Sequence, residues 1–218
     1  MNYEALIFDL DGTLVNSLGD ITFSLNQTLE EYGFTYRYTN EETKYLTGSG
    51  ARVIVERALK PFNVSPNEVY NIYQTYLTNY HNNSQTEFST IYPGVLNFLR
   101  FLKANNIKTY VLTNKPQEIA ERVINYFFED LFIEVVGNVP GVPVKPDPTS
   151  LNNLLHRYNI AHDKALFIGD TEIDLQVANN AKIASCWVSY GFRHKNDVSH
   201  VPHLYEVSHP DEILQFIS

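Results

Sequence analysis

Short runs that are apolar on both sides alternate along the chain with longer segments whose apolar residues recur at helical spacing. Ala5-Leu6-Ile7-Phe8 has no polar member, the pattern of a strand buried on both faces of a parallel sheet. Lys108–Leu112, Phe132–Val136, Ala165–Ile168 and Ile183–Val188 read the same way. Between them Val95, Phe98, Leu99 and Leu102, then Ile119, Val123, Tyr126 and Phe127, form helical stripes. Alternation of this kind predicts βαβ units around a parallel sheet: an α/β, Rossmann-like core.

The stretch from about Asn16 to Glu87 breaks the alternation, because it offers no convincing strand. Leu18, Ile21, Leu25, Thr28 and Leu29 share one helical face, and Val53, Ile54, Arg57 and Ala58 another. Val69, Tyr73, Tyr76 and Tyr80 form a further stripe, which reads as packing against a neighbouring helix rather than a ligand platform. The expected layout is a core over 1–15 and 88–218 interrupted by an all-helical cap over 16–87. His81-Asn82-Asn83-Ser84-Gln85 is the expected return hinge, and Tyr92-Pro93-Gly94 a turn.

Composition changes this picture little. At 218 residues the chain is one domain, or one domain carrying an insertion, by the usual 100–200 residues per domain. An acidic excess, 25 Asp and Glu against 16 Lys and Arg, argues against wide nucleic-acid binding, which needs clustered cations. No apolar run approaches the roughly 18 residues that span a bilayer, and Met1-Asn2-Tyr3-Glu4 does not open a secretory signal. A single cysteine, Cys186 in an expected strand, excludes an internal disulfide and fits a reducing, cytoplasmic setting. His194, His200, His203 and His209 crowd the carboxyl-terminal region at spacings that match no zinc motif, and read as a surface loop.

The candidate chemistry lies just past the ends of the strands. Asp9-Leu10-Asp11-Gly12-Thr13 comes after the first, Thr113-Asn114-Lys115 after the second, and Gly169-Asp170-Thr171-Glu172-Ile173-Asp174 after the fourth; Lys145-Pro146-Asp147-Pro148 falls in the loop after the third. Ligands of open parallel sheets bind outside the carboxyl ends of the strands, so these distant segments should meet on one rim. Taken singly each has a plainer reading. Asp11-Gly12 could be a hairpin turn, but a helical pattern comes next rather than a strand. An EF-hand loop with Gly12 sixth would begin at Ile7 and end at Leu18, which fails. Thr113 and Asn114 could cap a helix, and Thr171 with Asp174 matches a capping box. Taken together they suit phosphoryl transfer. Asp9 and Asp170 offer hard oxygens to Mg²⁺, Thr113 a hydroxyl and Lys145 a positive charge for a phosphoryl group. A metal-bound carboxylate can attack phosphorus, while a second carboxyl two residues on exchanges the proton.

Asp9-Leu10-Asp11-Gly12-Thr13-Leu14 resembles the first motif of the haloacid dehalogenase superfamily in its phosphatase form. Leu112-Thr113-Asn114, Lys145-Pro146-Asp147-Pro148 and Gly169–Asp174 resemble the second, third and fourth motifs, in order. Thr47–Leu59 and Val188-Ser189-Tyr190-Gly191-Phe192 are similar to segments of the phosphoglycolate phosphatase-like branch, which carries a helical cap. The resemblance implies Asp9 as nucleophile, Asp11 as general acid and base, and Thr113, Asn114 and Lys145 around the phosphate. It implies Mg²⁺ held by the Asp9 side chain, the Asp11 backbone carbonyl and Asp170, with Asp174 in support. Asn16 stands where many members carry aspartate. In the cap loop, Gly48 and Gly50 read equally as turn residues or substrate contacts, and Arg52 as a partner for a substrate carboxylate or a solvated helix residue. The implied function is hydrolysis of a small phosphorylated metabolite, 2-phosphoglycolate first. A pyrophosphatase, a sugar-phosphate mutase, a receiver-type protein phosphorylated on aspartate and a non-catalytic phosphate binder are the alternatives.

Overall fold

The computed structural model describes residues 3–83 and 86–217. β1 (Ala5–Phe8) is buried throughout. The chain then makes a two-residue strand, β2 (Val15–Asn16), and enters α1 (Leu18–Glu31), α2 (Asn40–Leu46), α3 (Ala51–Leu59) and α4 (Pro66–Asn82). It returns through β3 (Thr90–Ile91), which pairs antiparallel with β2. The remainder alternates: α5 (Val95–Ala104), β4 (Lys108–Pro116), α6 (Gln117–Phe128), β5 (Glu134–Asn138), α7 (Thr149–Arg157), β6 (Ala165–Gly169), α8 (Glu172–Ala181), β7 (Ala184–Val188) and β8 (Tyr205–Val207).

The main sheet has the order β5-β4-β1-β6-β7-β8, and its pairings are parallel. Successive side chains of β1 point to opposite faces, so this one strand serves two cores. Leu6 and Phe8 pack with α5 and α6, while Ala5 and Ile7 pack with α7 and α8. The expected α/β core is therefore the observed one, a doubly covered parallel sheet. The crevice lies at the carboxyl end of β1, where the chain's neighbours diverge to β4 on one side and β6 on the other.

The helices between β2 and β3 have an apolar cluster of their own. It joins Ile21, Leu25 and Leu29 of α1 to Ile54, Val55 and Ala58 of α3 and to Ile72, Tyr76 and Tyr80 of α4. Ile119 at the start of α6 is the core residue in that cluster. Among the described residues no helix is long and apolar enough to cross a membrane.

Several details differ from the sequence reading. The insertion begins inside a strand, since Asn16 belongs to β2, and two residues are too few to show an alternating pattern. Of the expected hinge, His81 and Asn82 still belong to α4, and Ser84 and Gln85 lie outside the described residues. The chain crosses back at Thr90–Ile91 instead. β4 continues past Leu112, with a register shift between Leu112 and Pro116, so Thr113, Asn114 and Lys115 stand in the strand rather than beyond it. β8 has only three residues and carried no signal. On α6 the buried face runs Ile119, Val123, Ile124 and Phe128, which turns Tyr126 out to solvent.

Candidate active site

β1 ends at Phe8, and its next residue, Asp9, emerges at the rim, held by a backbone hydrogen bond from its amide to the Ile168 carbonyl of β6. The turn after it depends on Gly12, whose φ is +88°. A Cβ there would stand 2.3 Å from Asp170 Oδ2, so only glycine lets the β1 and β6 ends approach this closely. Thr13 Oγ1 and the Phe192 amide donate to the two Asp170 carboxylate oxygens at 3.1 and 2.7 Å. The Asp170 carboxylate is thus fixed by two remote parts of the chain.

Lys145 is the hub of the buried charges. Its Nζ lies 2.9 Å from Asp9 Oδ1 and 2.7 Å from Asp174 Oδ1. The second Asp174 oxygen accepts from the Thr171 amide and hydroxyl at 2.9 and 2.7 Å, so the capping box is real and Asp174 serves helix and rim together. Burial would lower the Lys145 pKa, but the facing Asp174 and Asp9 carboxylates outweigh it and hold the ammonium charged. Burial, reinforced by Asp174 and opposed by Lys145, raises Asp9 to about 7. Asp170 is pushed well above the usual carboxylate range by burial and by the carboxylates of Asp174 and Asp9. Asp9, Asp170 and Asp174 each present an oxygen within 4.8 Å of the others, and all three are buried. Such a set has more negative charge than one lysine balances, and its donors are hard oxygens, so these residues fit a hard divalent cation.

Asp11 sits apart from that group. Its Oδ1 accepts from Ser17 Oγ at 2.6 Å and from Lys115 Nζ at 2.8 Å. Lys115 also donates to the Tyr80 hydroxyl of α4, which links the rim to the helical insertion. Thr113 Oγ1 accepts from the Lys115 amide at 3.2 Å, which fixes the oxygen and leaves its hydroxyl proton to point elsewhere. The helix-cap reading of Thr113 and Asn114 fails, because the residue preceding α6 is Pro116 and no side chain caps it.

Asn114 lines the cavity beside Thr113, and its side chain is engaged within the protein. Its amide nitrogen donates to the Gly48 and Lys145 carbonyls, both at 3.0 Å, and its oxygen accepts from the Lys145 amide at 2.9 Å. Both amide protons are engaged inside the protein, so Asn114 ties the Lys145 loop to the insertion. Gly48 and Gly50 have φ of +101° and +93°, which is the turn reading. The 46–49 loop is braced from the core by Arg193, which donates to the Lys44 and Thr47 carbonyls at 2.7 and 2.9 Å.

A cavity separates the rim from the insertion. Asp9, Asp11, Thr113 and Lys115 form its floor, and Ile21, Ala51, Ile54, Tyr76 and Tyr80 its far wall. Gly48 and Gly50 line it as well, so the two glycines serve the turn and the cavity together. Arg52 is not part of it. Its helix buries Ala51, Ile54, Val55 and Ala58, which turns Arg52 to the opposite side. There it is 68% exposed and paired with Glu56 at 2.7 Å. The reading of Arg52 as a substrate contact is therefore replaced by that of a solvated helix pair. Cys186 is buried in β7, and His194 and His200 are exposed.

The sequence reading missed Ser17, Thr13, Tyr80, Lys115 and the Phe192 amide. Lys115 could have been found, since it comes directly after Asn114 in a motif already aimed at the rim. The others act across 6 to 157 residues of sequence, by hydrogen bonds that no local pattern announces.

The fold and rim together define an α/β protein with a carboxylate–lysine site at the carboxyl ends of its parallel strands, under a helical layer. The chain belongs to the haloacid dehalogenase-like hydrolase family, whose model matches residues 6–188. It is 31% identical over 205 residues to a phosphoglycolate phosphatase of Psychrobacter arcticus, covering 91% of this chain and 88% of that one. A phosphoglycolate phosphatase of Aquifex aeolicus is 29% identical over 216 residues, covering 98% and 96%. Among solved structures, a predicted phosphoglycolate phosphatase from Haemophilus somnus superposes with a TM-score of 0.91 at 26% identity, covering 100% of this chain and 99% of that one.

Proposed function

We propose that this enzyme is a Mg²⁺-dependent phosphomonoesterase of small phosphorylated metabolites that works through an aspartyl phosphate on Asp9. The observation that carries the reading is the buried Asp9–Lys145–Asp174 cluster, with Asp170 beside it, opening onto the cavity next to Asp11. The phosphoglycolate phosphatase relatives favour 2-phosphoglycolate as the first substrate to try.

The chemistry depends on which groups are free. A carboxylate oxygen of Asp9 attacks phosphorus, the ester P–O bond breaks, and its electron pair leaves on the alcohol oxygen. Asp11 gives that oxygen a proton. Ser17 and Lys115 both engage its Oδ1, which leaves Oδ2 for the exchange. Asp11, now ionised, takes a proton from water as the water oxygen attacks the phosphorus. The Asp9–phosphorus bond breaks, inorganic phosphate departs, and Asp11 is again protonated. The Thr113 hydroxyl and the Lys145 ammonium stabilise the phosphoryl charge during both displacements. Asp9, Asp170 and the Asp11 backbone carbonyl would hold Mg²⁺, with Asp174 in support through Lys145. Bound there, the cation would neutralise phosphoryl charge and keep Asp9 ionised at neutral pH. The insertion acts as a cap that excludes water from the cavity once substrate is in place.

The test is a screen of small phosphoesters with and without Mg²⁺, using Asp9→Asn as control. Turnover that needs Mg²⁺ and vanishes in the variant supports the reading; turnover that survives in Asp9→Asn overturns it.

A further inference from the structure

The Tyr76 ring packs in the apolar cluster of the insertion, but its hydroxyl is used neither by that packing nor by the reaction. The residue lies on α4 with no exposed surface, its ring stacked on Tyr80 at 5.5 Å between centroids, and it lines the cavity opposite the rim. Among the described residues its hydroxyl has no hydrogen-bond partner. A buried hydroxyl without a partner is costly, and at a position needing only shape and apolar surface phenylalanine would serve better. Tyr76 thus stands where the apolar cluster of the insertion meets the cavity. The neighbouring far-wall residues Ile21, Ala51 and Ile54 have no side-chain hydrogen-bonding group. Lys115 is the one Lys, Arg or His on the described lining, and it is bound to Asp11.

From this placement we infer that the Tyr76 hydroxyl is the specificity-determining donor of the cavity, meeting an oxygen carried by the leaving group of the ester. The inference rests on the phosphomonoesterase reading and sharpens it. The enzyme selects phosphoesters whose alcohol part bears a second oxygen, a carboxylate or a hydroxyl, over plain alkyl phosphates of the same size. Unlike a structural tyrosine, Tyr76 would then matter for some substrates and not for others.

The experiment compares wild type with Tyr76→Phe on ethyl phosphate, 2-phosphoglycolate and ethylene glycol monophosphate, with thermal melts of both proteins alongside. Loss of one donor to an uncharged or charged acceptor predicts a fall of about 10-fold or more in kcat/KM on the oxygen-bearing esters. Ethyl phosphate should change by less than about 3-fold, since it makes no such contact. Whichever of 2-phosphoglycolate and ethylene glycol monophosphate takes the larger fall identifies the oxygen as carboxylate or hydroxyl. The melting midpoint should stay level or rise by about 2–4 °C, because the variant removes an unpartnered buried hydroxyl. An equal loss on all three esters, no loss on either oxygen-bearing ester, or a lower midpoint in Tyr76→Phe would overturn the inference. Absence of Mg²⁺-dependent turnover on any ester in wild type would instead sink the phosphomonoesterase reading, which separates the two failures.

Discussion

The floor and the far wall of the cavity are built in opposite ways. The floor is charged, and through Asp9 it rests on an over-determined cluster beneath it. Asp170 is held by Thr13 and Phe192, Asp174 by Thr171 and Lys145, and Lys145 by two carboxylates. The far wall is aliphatic and aromatic, and Tyr76 there lacks a partner. Floor residues and Asp170 stand at the ends of β1, β4 and β6, in the most buried layer of the sheet, whereas the wall belongs to a helical layer joined through β2 and β3. Under the proposed function the reaction chemistry would sit where strand pairing leaves little freedom of movement. Selection among substrates would fall to the layer that two short strands join to the core.

The contrast is broken most directly at the nucleophile. Asp9→Asn should lower kcat by at least about 10³-fold without unfolding the protein, measured by steady-state turnover beside circular dichroism. Next comes the hub. Lys145→Met leaves Asp9 and Asp174 facing each other without a cation, and should cost about 3 kcal/mol in urea unfolding with EDTA present, besides activity. A loss under about 1 kcal/mol would mean that the cluster beneath the floor is not over-determined at all.

Metal and pH give a smaller, signed effect. Asp9 has a folded pKa of about 7 against an ordinary 3.8, so between those values the native state holds more protons than the unfolded one. Its contribution to metal-free stability is complete below about pH 4 and is lost as pH rises through 7. Asp170 is shifted in the same direction. Under the proposed function Mg²⁺ would take the place of those protons, so the gain in melting midpoint on adding Mg²⁺ should be larger at pH 8 than at pH 5.5; an equal gain at both would count against these carboxylates as its ligands. Lys115→Met tests the join between the two regions. Asp11 keeps Ser17 but loses the cation that also holds Tyr80, so kcat should fall about 10- to 100-fold. Smallest of all, Arg52→Ala should change kcat/KM by less than about 2-fold on every ester, as befits an exposed pair.

Sequence reading reached the floor far better than the wall. Each floor residue stands at the end of a strand or in the loop beyond one, and strands buried on both faces show as apolar runs, so Asp9, Lys145 and Asp170 could be aimed at one rim before any contact was known. The wall offered only helical stripes. Tyr76 and Tyr80 stand in such a stripe, and periodicity cannot separate a ring that packs from one that also lines a cavity. Arg52 needed the direction of its helix face, and the role of the Asn114 side chain needed the three backbone groups that occupy its amide.

By itself the sequence determined the parallel α/β core, the helical interruption and the acidic and lysine residues brought to the carboxyl ends of the strands. Those come from local hydrophobic period and from the rule that strand ends share an edge. Only the tertiary structure decided which of these groups neutralise one another, which are already occupied, and that a tyrosine hydroxyl waits unpartnered across the cavity. Hydrogen bonds and ion pairs depend on a few tenths of an ångström between residues far apart in the chain, and that distance is set by packing, not by composition or period.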